Sequence, residues 1–336
     1  MKNIRIIFLS VLVSTVFLGI TFCLKKDIMQ SAPFSFKEIQ AELTDFIVEQ
    51  PSYFKASDGC NLAYYSFLGS DSNKHNDYKE IVVLYAGGGL YGNASYQWVA
   101  KKLQEKYGIG CYIFDLRGHG YSEGIRGDAP SMERVWQDTQ ESIELVKQLH
   151  QKAKVYLVGH SSGAGLLINY AAYSKNKLEE GYVFLAPYLG PKSEAAKDAQ
   201  GEYSSFVKKA RIWVYILGAI FPQSCVTHFK AIIFNYPQVI LEQDPLILTY
   251  YTYAMSMATS PYEVTEVIKK IDKPVGLYIG QEDEQFIPEK VIAYKEFMNV
   301  SVDAKIIENV GHLSILLNAP ELIAAFIKRN EIYDKK

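Results

Sequence analysis

The sequence predicts an α/β protein with a mostly parallel central sheet and helices on both faces, and three observations carry that expectation. Short apolar runs of strand length recur at residues 81–85, 155–158, 182–185 and 275–279 without polar alternation, as strands buried on both faces do. Longer stretches with helical spacing of apolar residues separate them, so strand and helix alternate. Several runs lead straight into glycines or chemically capable side chains, at the strand ends where open α/β sheets collect their ligands.

A chain of 336 residues can bury one large core, and 49% hydrophobic with 21% charged residues is ordinary globular composition. Thirty-five basic residues face 37 acidic ones with no basic stripe, which argues against a nucleic-acid partner. Cys23, Cys60, Cys111 and Cys225 are widely spaced and contain no CxxC pair, so neither a metal knuckle nor a dense disulfide framework is expected; one isolated disulfide stays open.

Taking the chain in order, Lys2 and Arg5 precede an apolar run over residues 6–24, followed by Lys25 and Lys26. As a helix that run would be about 28 Å long, close to the hydrocarbon thickness of a bilayer. No small-residue cleavage site stands out before Pro33, so residues 1–30 are expected to be an uncleaved membrane anchor. A cleaved signal with a secreted product is the alternative, and a lipoprotein at Cys23 is opposed by the bulky Phe22 before it. The flanking charges favour the N-terminus inside, with the body periplasmic or extracellular. Residues 31–50 read as a linker or short helix, and residues 51–330 as the globular domain.

Aromatic-rich residues 52–56 and 61–67 around Asp58-Gly59 predict a hairpin. The polar tract 70–79, with His75, reads as a surface loop without a role. The strand at 81–85 runs into Ala86-Gly87-Gly88-Gly89. A phosphate cradle is a weak reading there, because the Lys-Ser/Thr of a P-loop is absent; a plain turn, or bare N–H groups approaching a substrate oxygen, remain. A helix over 95–107 and a strand over 110–115 follow, then Arg117, Gly118 and His119. Asp115, Arg117 and His119 are expected to hold that loop by local bonds. A long helix over 131–151 leads to the strand at 155–158.

That strand enters Gly159-His160-Ser161-Ser162-Gly163, a Gly-x-Ser-x-Gly turn opening a helix of small and apolar residues. So tight a turn needs glycines two residues either side of the serine, and it thrusts the hydroxyl into a cleft. The helix begins directly after Ser161, aiming unpaired N–H groups at the site. Beyond a strand at 182–185 the alternation breaks, and residues 190–262 are expected to form a helical cap over the strand ends, with Trp213 and the tyrosines as packing groups. Alternation resumes with a helix to about 270, a strand at 275–279, a helix over 288–299, a strand at 304–307 and a closing apolar helix to about 329. Ser161, Asp283 and His312 thus each follow a strand, in the chain order serine, acid, histidine.

These residues resemble the α/β-hydrolase superfamily, and within it the monoacylglycerol lipase, lysophospholipase and serine aminopeptidase group, over residues 53–329. The resemblance is carried by Phe114-Asp115-Leu116-Arg117-Gly118-His119-Gly120-Tyr121-Ser122, by Gly159-His160-Ser161-Ser162-Gly163, by Gly280-Gln281-Glu282-Asp283 and by Gly311-His312. The chain departs from it at Ala86, where the family usually has a histidine that helps to order the oxyanion loop. The resemblance implies Ser161 as nucleophile, His312 as base and Asp283 as its orienting acid, with Glu282 and Glu284 solvated. Backbone N–H groups of Gly88 and Ser162 would bind the oxyanion, with no metal or cofactor. An apolar insertion, an expected anchor and the lack of a charged pocket motif point to a lipid-derived ester such as a monoacylglycerol or lysophospholipid. A general carboxylesterase or peptidase on the same triad, and a catalytically silent membrane-tethered binding protein, are the rival readings.

Overall fold

The computed structural model describes residues 37–69, 78–197 and 206–333. The expected anchor, the His75 tract and part of the insertion lie outside them. Among the described residues no helix is long and apolar enough to cross a membrane.

A short helix, α1 (Lys37–Glu42), occupies part of the expected linker. The hairpin follows as β1 (Ser52–Lys55) and β2 (Asn61–Phe67), with Gly59 turning at φ 89°. Next come β3 (Glu80–Tyr85), α2 (Ala94–Tyr107), β4 (Gly110–Phe114) and α3 (Met132–Leu149). Asn93 starts α2 by accepting the Ser95 N–H, Gly108 ends it in the left-handed region, and Ser131 caps α3 through the Arg134 N–H. Then β5 (Lys154–His160), α4 (Ser162–Tyr173) and β6 (Gly181–Leu185) complete the first half.

The insertion contains β7 (Val207–Ala210), α5 (Ile212–Ile220), β8 (Lys230–Phe234), α6 (Gln238–Gln243), β9 (Tyr250–Thr252) and α7 (Tyr253–Ala258). The helices expected of the cap are there, but the insertion also holds strands that were not expected: β7, β8 and β9 pair as a separate antiparallel sheet. Both ladders carry register shifts, and three- to five-residue strands broken in this way leave no lasting period of two in the sequence. A small core of Val214, Ala231 and Tyr253, with Trp213 against it, holds this layer together.

The chain then returns through α8 (Val264–Ile268), β10 (Val275–Gly280), α9 (Pro288–Ala293), β11 (Val302–Ile307) and α10 (Ile315–Tyr333). The helix expected over 288–299 tightens to a 3₁₀ turn after Ala293. The main sheet runs β1-β2-β4-β3-β5-β6-β10-β11; only β1/β2 and β2/β4 are antiparallel. The strands β4, β5, β6 and β10 are buried along almost their whole length, as their unbroken apolar sequence requires. On one side α2 packs with α10, and α4 packs with α3 and α8. Cys60, Cys111 and Cys225 are free thiols, so the open possibility of a disulfide is not met among the described residues.

Because β3 lies between β4 and β5, the topology reverses direction at β3, and the loops leaving β3 and β5 sit side by side. That crevice holds the serine turn and the glycine run.

Candidate active site

Ser161 leaves β5 at φ 53° and ψ −118°, a strained conformation for a residue with a side chain. Its neighbours explain how it is held. A Cβ on Gly163 would lie 2.5 Å from the Tyr85 carbonyl oxygen, and one on Gly159 would lie 2.5 Å from the Ala164 nitrogen. The Ser161 N–H donates to the Leu185 carbonyl at 2.9 Å, and its own carbonyl accepts the Tyr188 N–H at 3.0 Å. Although Ser161 stands at the start of α4, its hydroxyl makes no helix-capping bond. The hydroxyl is instead 3.0 Å from His312 Nε2.

His312 Nδ1 is 2.8 Å from Asp283 Oδ2, so the three residues expected from the sequence stand in one hydrogen-bonded line. Asp283 is fully buried, and its second oxygen accepts the N–H groups of Gln285 and Phe286, each at 2.8 Å. With Oδ1 engaged in that way, Oδ2 is left to the imidazole, which places the ring proton on Nδ1 and leaves Nε2 to accept.

Glu284 departs from the expectation of a solvated carboxylate, whereas Glu282 is exposed. Glu284 is half-buried, and its Oε2 accepts the His312 backbone N–H at 2.8 Å. This brace was hidden because the contact is to main chain 28 positions away. The one hint in the sequence is that Glu284 adjoins Asp283.

The glycine run forms the facing wall. Among the described residues no acceptor is bonded to the N–H of Gly88 or of Ser162, and both residues line the cavity beside Ser161. The Gly87 N–H donates to the Tyr96 hydroxyl at 2.8 Å, and that hydroxyl lies 2.9 Å from His160 Nδ1. His160 Nε2 faces the His312 carbonyl at 3.0 Å, so Nε2 carries the proton and Nδ1 accepts from Tyr96. Burial, with His312 close by, pushes the His160 pKa down to about 3 and keeps the ring neutral. His160 thus ties the glycine run to the histidine loop, a role not readable from its position inside the turn motif.

Asp115, Arg117 and His119 hold their loop as expected. Asp115 accepts the N–H groups of Gly92 and Tyr121 at 2.7 and 3.0 Å. Arg117 donates to both carboxylate oxygens of Asp138 through Nε and Nη2, each at 2.8 Å. His119 reaches further, with Nε2 lying 2.7 Å from the Tyr251 hydroxyl of the cap.

The cavity over Ser161 has a volume of about 230 Å³. Phe206, Val207, Ile232 and Phe234 from the insertion are among its apolar lining residues, and Lys197, Ser256, Ser260 and Gln285 are among its polar ones. Phe206 stacks on Phe234 with ring centroids 4.7 Å apart. None of its described lining residues is Asp or Glu. Among the described residues no group of His, Cys, Asp and Glu is arranged to hold a metal ion.

Comparison with known proteins agrees with this architecture. A family model for serine aminopeptidase S33 matches residues 76–316. An uncharacterized abhydrolase domain-containing protein of Dictyostelium discoideum is 25% identical over 224 residues, 65% of this chain and 22% of that protein. Protein phosphatase methylesterase 1 of Candida albicans is 25% identical over 159 residues, 47% of this chain and 41% of that one. The chain therefore spans less than half the length of either of these curated relatives. A soluble variant of monoglyceride lipase from Saccharomyces cerevisiae, solved with a substrate analogue, superposes with a TM-score of 0.59 at 18% identity, covering 90% of this chain and 99% of that structure. The sheet order, the strand-end site and the family match together establish that the chain belongs to the serine aminopeptidase S33 family of the α/β-hydrolase superfamily.

Proposed function

We propose that the chain is a serine ester hydrolase acting through Ser161, His312 and Asp283. The observation that carries this reading is the continuous Ser161–His312–Asp283 hydrogen-bonded line, at 3.0 and 2.8 Å, opening on a cavity. In the proposed reaction His312 Nε2 takes the Ser161 proton as Oγ attacks the ester carbonyl. The carbonyl oxygen becomes an oxyanion that the Gly88 and Ser162 N–H groups receive; losing one such donor would cost roughly 3–4 kcal/mol of the barrier reduction. Collapse expels the alkoxide, which leaves as an alcohol with the proton from His312. Water, deprotonated by the same imidazole, then attacks the acyl carbon, and the C–Oγ bond breaks as His312 returns that proton to Ser161 Oγ, releasing the carboxylic acid.

For the substrate we propose a lipid-derived ester, a monoacylglycerol or lysophospholipid. Support comes from the mixed lining of the cavity, whose phenylalanines suit an acyl chain while its hydroxyls suit a polar alcohol. The lipase and methylesterase identities of two proteins this chain is similar to agree with ester chemistry. A peptidase is disfavoured by the absence of a carboxylate among the described lining residues, since a free α-amino group needs one. Rates on monoacylglycerols, lysophospholipids, acetyl esters and amino-acid anilides test the reading. Long-chain esters should lead; preference for acetyl esters or anilides would sink the lipid assignment. We further propose that residues 6–24 tether the hydrolase domain to a membrane, with that domain periplasmic or extracellular.

A further inference from the structure

The glycines after β3 are gripped peptide by peptide, and most of the grip comes from the cap. Within the hydrolase body, the Gly87 N–H donates to Tyr96 and the Gly87 carbonyl accepts the Leu90 N–H at 3.0 Å. From the insertion, the Tyr236 hydroxyl donates to the Gly88 carbonyl, and the Leu248 N–H donates to the Gly89 carbonyl at 2.9 Å. The Gly89 N–H in turn donates to the Tyr251 hydroxyl at 2.7 Å. The peptide joining Gly88 to Gly89 is therefore clamped at both its carbonyl and its N–H by cap tyrosines.

Such a clamp matters because a peptide between two glycines has few steric barriers to flipping. Gly88 and Gly89 are the central residues of a turn closed by the Leu90 N–H on the Gly87 carbonyl, so releasing their peptide would loosen the turn that aims the Gly88 N–H into the cleft. The direction of the Tyr251 bond is decided by its neighbour. His119 Nδ1 faces the Arg117 carbonyl at 3.0 Å and so carries the proton, leaving Nε2 to accept the Tyr251 O–H at 2.7 Å. The Tyr251 oxygen is thus free to accept from Gly89.

We propose that Tyr236 and Tyr251 are positioning residues for oxyanion stabilisation, clamping the Gly88–Gly89 peptide from the cap in a chain whose glycine run is preceded by Ala86. The inference rests on the serine hydrolase reading. Its consequence is that the donor site is complete only while the cap is seated.

The test uses the full chain with Y236F and Y251F, singly and together, the rings being kept and only the hydroxyls removed. Y91F serves as comparison, because the Tyr91 hydroxyl ties the body to Asp244 of the cap at 3.0 Å rather than to a peptide of the three glycines. Four quantities are measured: kcat and KM on an ester the wild type cleaves, inhibition by a trifluoromethyl ketone that forms a tetrahedral oxyanion on Ser161, and binding of the product acid. The double variant should lower kcat about tenfold or more and weaken the ketone by a similar factor. KM and product binding should stay within about twofold, and Y91F should leave kcat in place. Unchanged kcat and ketone affinity in a double variant that merely melts earlier would overturn the inference, as would an equal loss in Y91F. An active wild type with indifferent variants sinks this inference alone, whereas a wild type inert toward ester and ketone sinks the hydrolase reading as well.

Discussion

Ser161 is held in a backbone conformation that costs a non-glycine residue about 1–3 kcal/mol, and the surrounding glycines make the strain possible. Replacing Gly163 by alanine should therefore destabilise the fold by at least about 2 kcal/mol in chemical denaturation, because the new methyl would press on the Tyr85 carbonyl rather than on a movable side chain. Asp283→Asn should lower kcat by about 10³–10⁴ with little change in KM, since an amide donating to Nδ1 would force the imidazole into the wrong tautomer. Removing the Glu284 carboxylate acts on the His312 backbone instead. E284A should cost about 1–3 kcal/mol of stability, and more in kcat than in KM. The triad was legible from sequence because each member follows a strand. Glu284 and His160 were not, because their partners are main-chain groups brought near only by folding.

At the scale of elements, the buried parallel strands announced themselves through unbroken apolar runs, while the capping bonds of Asn93, Gly108 and Ser131 came to light only in the fold. The cap sheet did not announce itself, since Val207–Ala210 alternates poorly and its ladder to β8 is bulged. The start of β3 carries a further consequence. Glu80 is hydrogen-bonded to Glu331 on α10; burial first, then this bond and the neighbouring charge, raises its pKa from 4.5 to about 7. A carboxyl with a raised folded-state pKa adds stability below its unfolded value, and that stability is lost as pH rises through the folded value. E80Q should thus melt near the wild type at pH 4.5 and above it at pH 8; a difference that ignores pH would contradict the pairing. Burial of His160 predicts the opposite behaviour for an imidazole. Its ring resonances should show no protonation between pH 8 and pH 5, where an ordinary histidine titrates.

Over the whole molecule, the topology gathers four strand ends at one edge of the sheet and lays the insertion across them. The sequence revealed the strand ends and the presence of an insertion. The tyrosine bonds joining them cross up to 162 positions of chain and leave no local pattern, so Tyr251 could be read only as packing. If residues 6–24 act as an anchor, a chain lacking residues 1–30 should move from the membrane to the soluble fraction while keeping its turnover on soluble esters. Equal partitioning of both chains would remove the anchor. Whether Ser161 acts as the nucleophile of a working hydrolase is read from the intact mass of the folded full chain after treatment with a fluorophosphonate. One adduct per chain, mapped to Ser161, absent in S161A and slow to form in H312A, is the expected result; folded protein that takes no adduct, or an S161A chain labelled as fast as the wild type, contradicts it.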